Sequence, residues 1–156
     1  MNKQSDILYL ITNQPNRLLV YDVKNRTIIH EIQLTHSPNC FSLTEDCSKA
    51  VIGHSGYITI VDLDNFSVIK TVDVPHIIHN IEWGKDDWCC YTVPNVQWTS
   101  LYWVNMTTNE KNNFDQIYGN CKIRKIPNQD GTELVVIKNA INGDFMWSLE
   151  FVQVVN

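Results

Sequence analysis

A self-similarity of about 40 residues, strand-sized apolar segments divided by turn clusters, and segments apolar at nearly every position together predict an all-β chain of β-propeller blades, four-stranded antiparallel sheets arranged as an incomplete ring. The repeat is read first from Leu18-Leu-Val-Tyr-Asp22-Val, which aligns with Ile58-Thr-Ile-Val-Asp62-Leu at an offset of 40. The same offset carries His36 onto His76, Phe41 onto Ile81 and Asp46 onto Asp86. A third copy lies 43 residues further on, with Asn105 at the Asp62 position and Gln129-Asp130-Gly131 at the Asp86-Asp87 position. Adding 43 again places Ser148 where Asp22 stood, in a fourth and fainter copy. The chain reads as one domain with blades of approximately 1–35, 36–75, 76–118 and 119–156.

Within the repeats, Val, Ile, Tyr, Phe and Trp gather in runs of strand length, and no stretch shows helical spacing. The first copy opens at strand b, Ile7-Leu-Tyr-Leu-Ile. In the second copy the strands are a (Cys40 to Leu43), b (Lys49 to Ile52), c (Tyr57 to Leu63) and d (Ser67 to Val74). In the third they are a (His79 to Trp83), b (Trp88 to Thr92), c (Ser100 to Met106) and a more polar d (Asn109 to Gln116). Turns are expected at Asp46 to Ser48, Gly53 to Gly56, Asp64-Asn65 and Pro127 to Gly131. Runs such as Ile58-Thr-Ile-Val do not alternate with polar residues, which suits sheets covered on both faces. A β-sandwich would explain the strands but has no reason to repeat every 40 residues.

The segments Val20-Tyr-Asp-Val-Lys-Asn-Arg-Thr-Ile-Ile-His30 and Ile60-Val-Asp-Leu-Asp-Asn-Phe-Ser-Val-Ile-Lys-Thr-Val72 resemble the end-of-strand-c pattern of WD-repeat and YVTN-type propellers. The resemblance implies a ring, commonly of seven blades, with partner sites on one face or at the central channel. The pattern departs from the WD dipeptide in carrying Tyr21, Val61 and Val104 for its Trp and Asn105 for its Asp, and Gly119 replaces the recurrent His. The fourth copy has no clear strand d, so both ends of the blade series are open. Three solutions remain: two copies close a ring as a homodimer, another chain supplies the missing half, or the chain is a piece of a longer propeller.

The 17 acidic and 12 basic residues give a formal charge of -5 with no basic run, which argues against nucleic acid as a partner. The opening residues lack a signal-peptide pattern and no apolar run is long enough to span a bilayer, so no membrane partner is expected. Five cysteines without CxxC spacing (Cys40, Cys47, Cys89, Cys90 and Cys121) read as reduced thiols, and a cytoplasmic location follows as the expectation.

In a propeller the d-to-a and b-to-c connections share one face, which should gather His36, His54, His76 and His79. Imidazoles converging there could hold a divalent metal for a lyase or hydrolase, the alternative function. The simpler reading makes His36 and His76 repeat residues that bond their own blades. Tyr57 and Trp98 fall beside b-to-c turns on the same face, where exposed rings suit peptide or protein recognition. The leading expectation is thus a non-enzymatic scaffold whose binding surface comprises Tyr57, Trp98, His36, His54 and His76. Asp46, Asp86, Asp87 and Asp130 read as turn formers on the opposite face, and Cys89-Cys90 as small buried hydrophobes. Without a phosphate-binding loop, HExxH, GxSxG or EF-hand pattern, no cofactor is expected.

Overall fold

The computed structural model describes residues 6–126, 133–139 and 147–153. These form four antiparallel sheets that follow one another along the chain, and among the described residues there is no helix. Sheet 1 contains β1 (Ile7–Thr12), β2 (Arg17–Asp22) and β3 (Thr27–Gln33), and sheet 2 contains β4 (Pro38–Leu43), β5 (Lys49–Asp62) and β6 (Ser67–Ile77). Sheet 3 is β7 (Asn80–Trp83), β8 (Trp88–Pro94), β9 (Trp98–Asn105) and β10 (Lys111–Tyr118). Sheet 4 is β11 (Cys121–Lys125), β12 (Glu133–Asn139) and β13 (Trp147–Gln153).

β5 is a hairpin in its own right. A straight 14-residue strand would hold its ends roughly 45 Å apart, yet Leu63 N–H donates to Ser48 O at 2.8 Å. The segment folds back at Ser55-Gly56, where Gly56 takes φ = 89°, and its two arms pair with β4 and β6 respectively. Sheet 2 therefore has the four runs a, b, c and d, and the turn expected over Gly53 to Gly56 narrows to its last two residues.

The repeated Asp and Asn close the c-to-d turns. Asp22 accepts from the Asn25 N–H and side-chain amide at 2.8 and 2.7 Å. Asp62 does the same with Asn65 at 2.9 and 2.7 Å, and Asn105 Oδ1 accepts from the N–H groups of Thr107 and Thr108, both at 2.9 Å. Each cap lets a following residue enter the left-handed region: Arg26 at 54°, Phe66 at 52° and Asn109 at 63°. The same logic closes the a-to-b turn of sheet 2, where Asp46 binds Thr44 and Ser48, while the turn expected at Pro127 to Gly131 lies outside the described residues, apart from its flanking strands.

The fourth copy needs a correction. Glu133 opens β12 and pairs with Gln153, as Trp88 opens β8 and pairs with Asn105. Gln153, not Ser148, therefore occupies the Asp22 position. The connections flanking β12 are longer than those flanking β8, so a constant offset falls five residues short.

Three apolar cores lie between successive sheets. Leu18, Ile32 and Leu34 meet Ala50, Ile52 and Val61 between sheets 1 and 2. Val51, Ile58 and Val72 meet Ile81, Trp83 and Val104 between sheets 2 and 3, and Cys90, Leu101 and Trp103 meet Ile123, Leu134 and Val136 between sheets 3 and 4. Residues from both faces of sheets 2 and 3 are thus buried, which explains the unbroken apolar runs. Sheet 1, at one end of the series, is covered on one side only among the described residues: Leu8, Leu10 and Ile28 are 46, 39 and 46% exposed.

Candidate functional site

The connections from β3 to β4 and from β6 to β7, together with the β5 and β8–β9 turns, bring the anticipated loop-face residues to one side of the sheets. They arrive as separate clusters. In the first, the His36 ring stacks on Tyr57 with centroids 3.7 Å apart and planes 6° from parallel. In the second, His76 stacks on Tyr102 at 4.1 Å, and its Nδ1 lies 3.1 Å from the Tyr91 hydroxyl. Trp98 forms a third with Tyr118, edge to face at 5.1 Å.

His54 sits beneath the first cluster, wholly buried. Its Nδ1 is 3.0 Å from Ser37 O, a carbonyl that can only accept, so Nδ1 carries the proton. Nε2 lies 3.0 Å from Thr59 Oγ1 and accepts from it, and Thr71 supplies the next hydroxyl at 3.2 Å. Burial, the largest influence, lowers the His54 pKa, and its neutral ring is held between the β3–β4 connection and Thr59 of its own strand. His76 is lowered too, first by desolvation and then by Lys111.

The metal alternative built on His36, His54, His76 and His79 meets this geometry badly. His54 has both nitrogens engaged, and His36 and His76 each lie against a tyrosine in different clusters. Among the described residues no group of three or more His, Cys, Asp or Glu side chains could hold a metal ion.

His79 instead lines a cavity of about 410 Å³ between sheets 3 and 4, with Asn80, Thr92, Pro94, Thr99, Asn120, Cys121, Lys122 and Ile137. Trp98 precedes Thr99 in β9 and therefore projects from the opposite face of sheet 3, away from this cleft. A second space, a groove of about 590 Å³, shares His79, Asn80 and Lys122 with it and runs along the innermost strands β1, β4, β7 and β11. Sequence reasoning missed this groove.

Its lining follows the repeat. Strand registers place Ser42, Glu82 and Arg124 at one position of three successive inner strands, and Cys40, Asn80 and Lys122 two residues before them. Ser42 Oγ donates to Glu82 Oε2 at 2.6 Å, and Arg124 Nη1 approaches Glu82 Oε1 at 3.5 Å. Burial raises the Glu82 pKa, against which Ser42 and then Arg124 act as the stabilising partners. Lys125 Nζ donates to Leu43 O, tying β11 to β4 across the axis. Burial pushes the Cys40 thiol up to about 12 and holds Cys89 and Cys90 far above the ordinary thiol range, so these sulfurs stay protonated at neutral pH. The offset of 40 between Ser42 and Glu82 was the available signal, hidden because unlike residues share the position.

No protein-family profile matches the chain, and no curated protein matches it. Solved structures do. The chain superposes on hydrazine synthase of Kuenenia stuttgartiensis with a TM-score of 0.70 and 18% identity, covering 98% of this chain and 44% of that one. The β-propeller domain of Myceliophteria thermophila Cps50 (Swd1) gives 0.63 at 11% identity, over 89% of this chain and 47% of that one. The WD40 repeats of RRP9 give 0.62 at 8% identity, over 92% and 47%. This chain spans less than half the length of each. The likeness is one of fold: a WD-repeat-like β-propeller architecture whose ring is not closed.

Proposed function

We propose that the chain is a non-enzymatic β-propeller scaffold that recognises a protein or peptide on its loop face, with Trp98, Tyr57, His36 and His76 as contact residues and His54 buried beneath His36 and Tyr57. The observation that carries this reading is the exposure of large rings held rigidly against each other at the β8–β9 turn. Trp98 and Tyr118 are 43 and 47% exposed while held edge to face, and Val96 nearby is 96% exposed. Rigid aromatic side chains give large contact area at small entropic cost, which is why they dominate recognition surfaces. Peptides selected from a random library against the folded chain should bind Trp98→Ala about tenfold or more weakly, at an unchanged melting temperature. Equal binding to the variant would sink the reading, and a large loss of stability would show that Trp98 serves packing instead.

A second reading concerns how the sheet series is completed. The outward face of sheet 1 carries Leu8, Leu10 and Ile28, with half-buried Leu19 and Tyr21 in register beside them. We propose a second copy of this chain as the occupant. Its sheet 4 would pack on sheet 1, and by symmetry the reverse, in a head-to-tail contact that closes on itself after two copies. The half-length coverage of solved propellers supports that stoichiometry. Light scattering coupled to size exclusion should give twice the 18.1 kDa chain mass. A stable monomer would overturn it, and would assign the face to a different polypeptide segment.

A further inference from the structure

We propose that the inner-strand groove is an anion site, holding a carboxylate or phosphate group of a small ligand between Lys122 and Arg124. This stands apart from the loop-face reading, and the failure of either leaves the other intact. The groove's volume of about 590 Å³ falls in the range of small-ligand sites. Its polarity is graded along the ring: the paired positions run from Cys40 and Ser42, through Asn80 and Glu82, to Lys122 and Arg124. The Lys122 side chain is exposed and makes no hydrogen bond or ion pair among the described residues. Arg124 uses a single guanidinium nitrogen, Nη1, which donates to Ile123 O at 2.7 Å and reaches Glu82 at the outer limit of hydrogen bonding. Among the described residues the rest of its planar fork, which suits bidentate oxyanions, has no hydrogen-bond partner.

Two cations with spare donors on the axis of a chain of net charge -5 are not a background effect of a basic protein. Glu82 is the internal carboxylate already drawing on the same arginine, so it marks where an oxyanion is favoured and also competes with one that arrives. That competition gives the proposal a signature that a merely structural salt bridge lacks.

Titration calorimetry and NMR on the folded chain at low salt, with inorganic phosphate and succinate as probes and chloride at matched ionic strength as control, test it directly. Saturable binding of either anion at one site is expected, weakened about tenfold or more by Lys122→Gln. Glu82→Gln keeps an acceptor for Ser42 but removes the competing charge, and should tighten binding severalfold. The tighter of the two probes names the group the site prefers. A response no different from chloride, or binding unaltered in both variants, overturns the proposal. Lys122 is a surface residue whose replacement leaves the fold intact, so that variant decides alone should Glu82→Gln lower the melting temperature.

Discussion

Asp22, Asp62 and Asn105 show what a repeat preserves at the level of single residues: a side-chain oxygen that satisfies the N–H groups of the next turn. Asn serves as well as Asp, because the cap needs an acceptor and not a charge. Asp46 adds a charge effect. Its bonds from Thr44 and then from Ser48 lower its carboxyl to about 2, below the unfolded value near 4. A depressed acid stabilises the fold above the unfolded pKa and loses that contribution as pH falls through the folded one. The melting temperature should fall between pH 4 and pH 2, and Asp46→Asn should flatten that part of the profile; an identical slope in the variant would refute the assignment. His54 acts in a higher window, since its lowered pKa gives stability that is present above about 6.5 and lost on acidification. The recurrence of Asp22, Asp62 and Asn105 was legible from spacing alone, and their capping bonds were not. The ring stacks were not, because His36 and His76 repeat while Tyr57 and Tyr102 occupy different strand positions.

At the level of elements, strand-forming composition located strands a to d of sheet 2 and a to c of sheet 3 closely, since β-branched and aromatic clusters between turn residues leave few other options. Strand d of sheet 3 is the instructive exception. Lys111–Tyr118 is polar on the surface side and pairs with β9 through a bulge between Asn113 and Asp115, so the sequence signal was weak and its limits shifted. The register of β13 failed for a different reason, as loop length carries no hydrophobic pattern. Gly53 shows packing that only the structure supplies. A Cβ there would meet Ile78 Cγ2 at 2.6 Å and Cys40 Sγ at 2.8 Å, both buried or half-buried and hemmed in. Gly53→Ala should cost about 1–3 kcal/mol, the usual penalty of overpacking a tight core, read as a lower denaturation midpoint. A neutral substitution would mean that the strand b and Ile78 contact can relax.

For the whole molecule, the propeller class was readable because a period of 40 is a global property that survives local divergence. The groove was not. It is built from equivalent positions filled by unlike residues, and its polarity becomes visible only when β4, β7 and β11 are brought around a common axis. Nor did sequence show which sheet face stays uncovered, since Leu8 and Leu10 look as core-like as Leu18 and Val20.

The placement of the three cores between neighbouring sheets has a consequence for how the chain comes apart. Each sheet is secured chiefly by the one before and the one after, as in a stack, and sheets 1 and 4 have a single neighbour while sheets 2 and 3 have two. Opening is therefore cheapest at the two ends and dearest in the middle, so backbone amides of β5 and β8 exchange with solvent last and those of β1 first. Whatever covers the outer faces would lift that gradient, turning a chain that frays from its ends into one that unfolds as a unit.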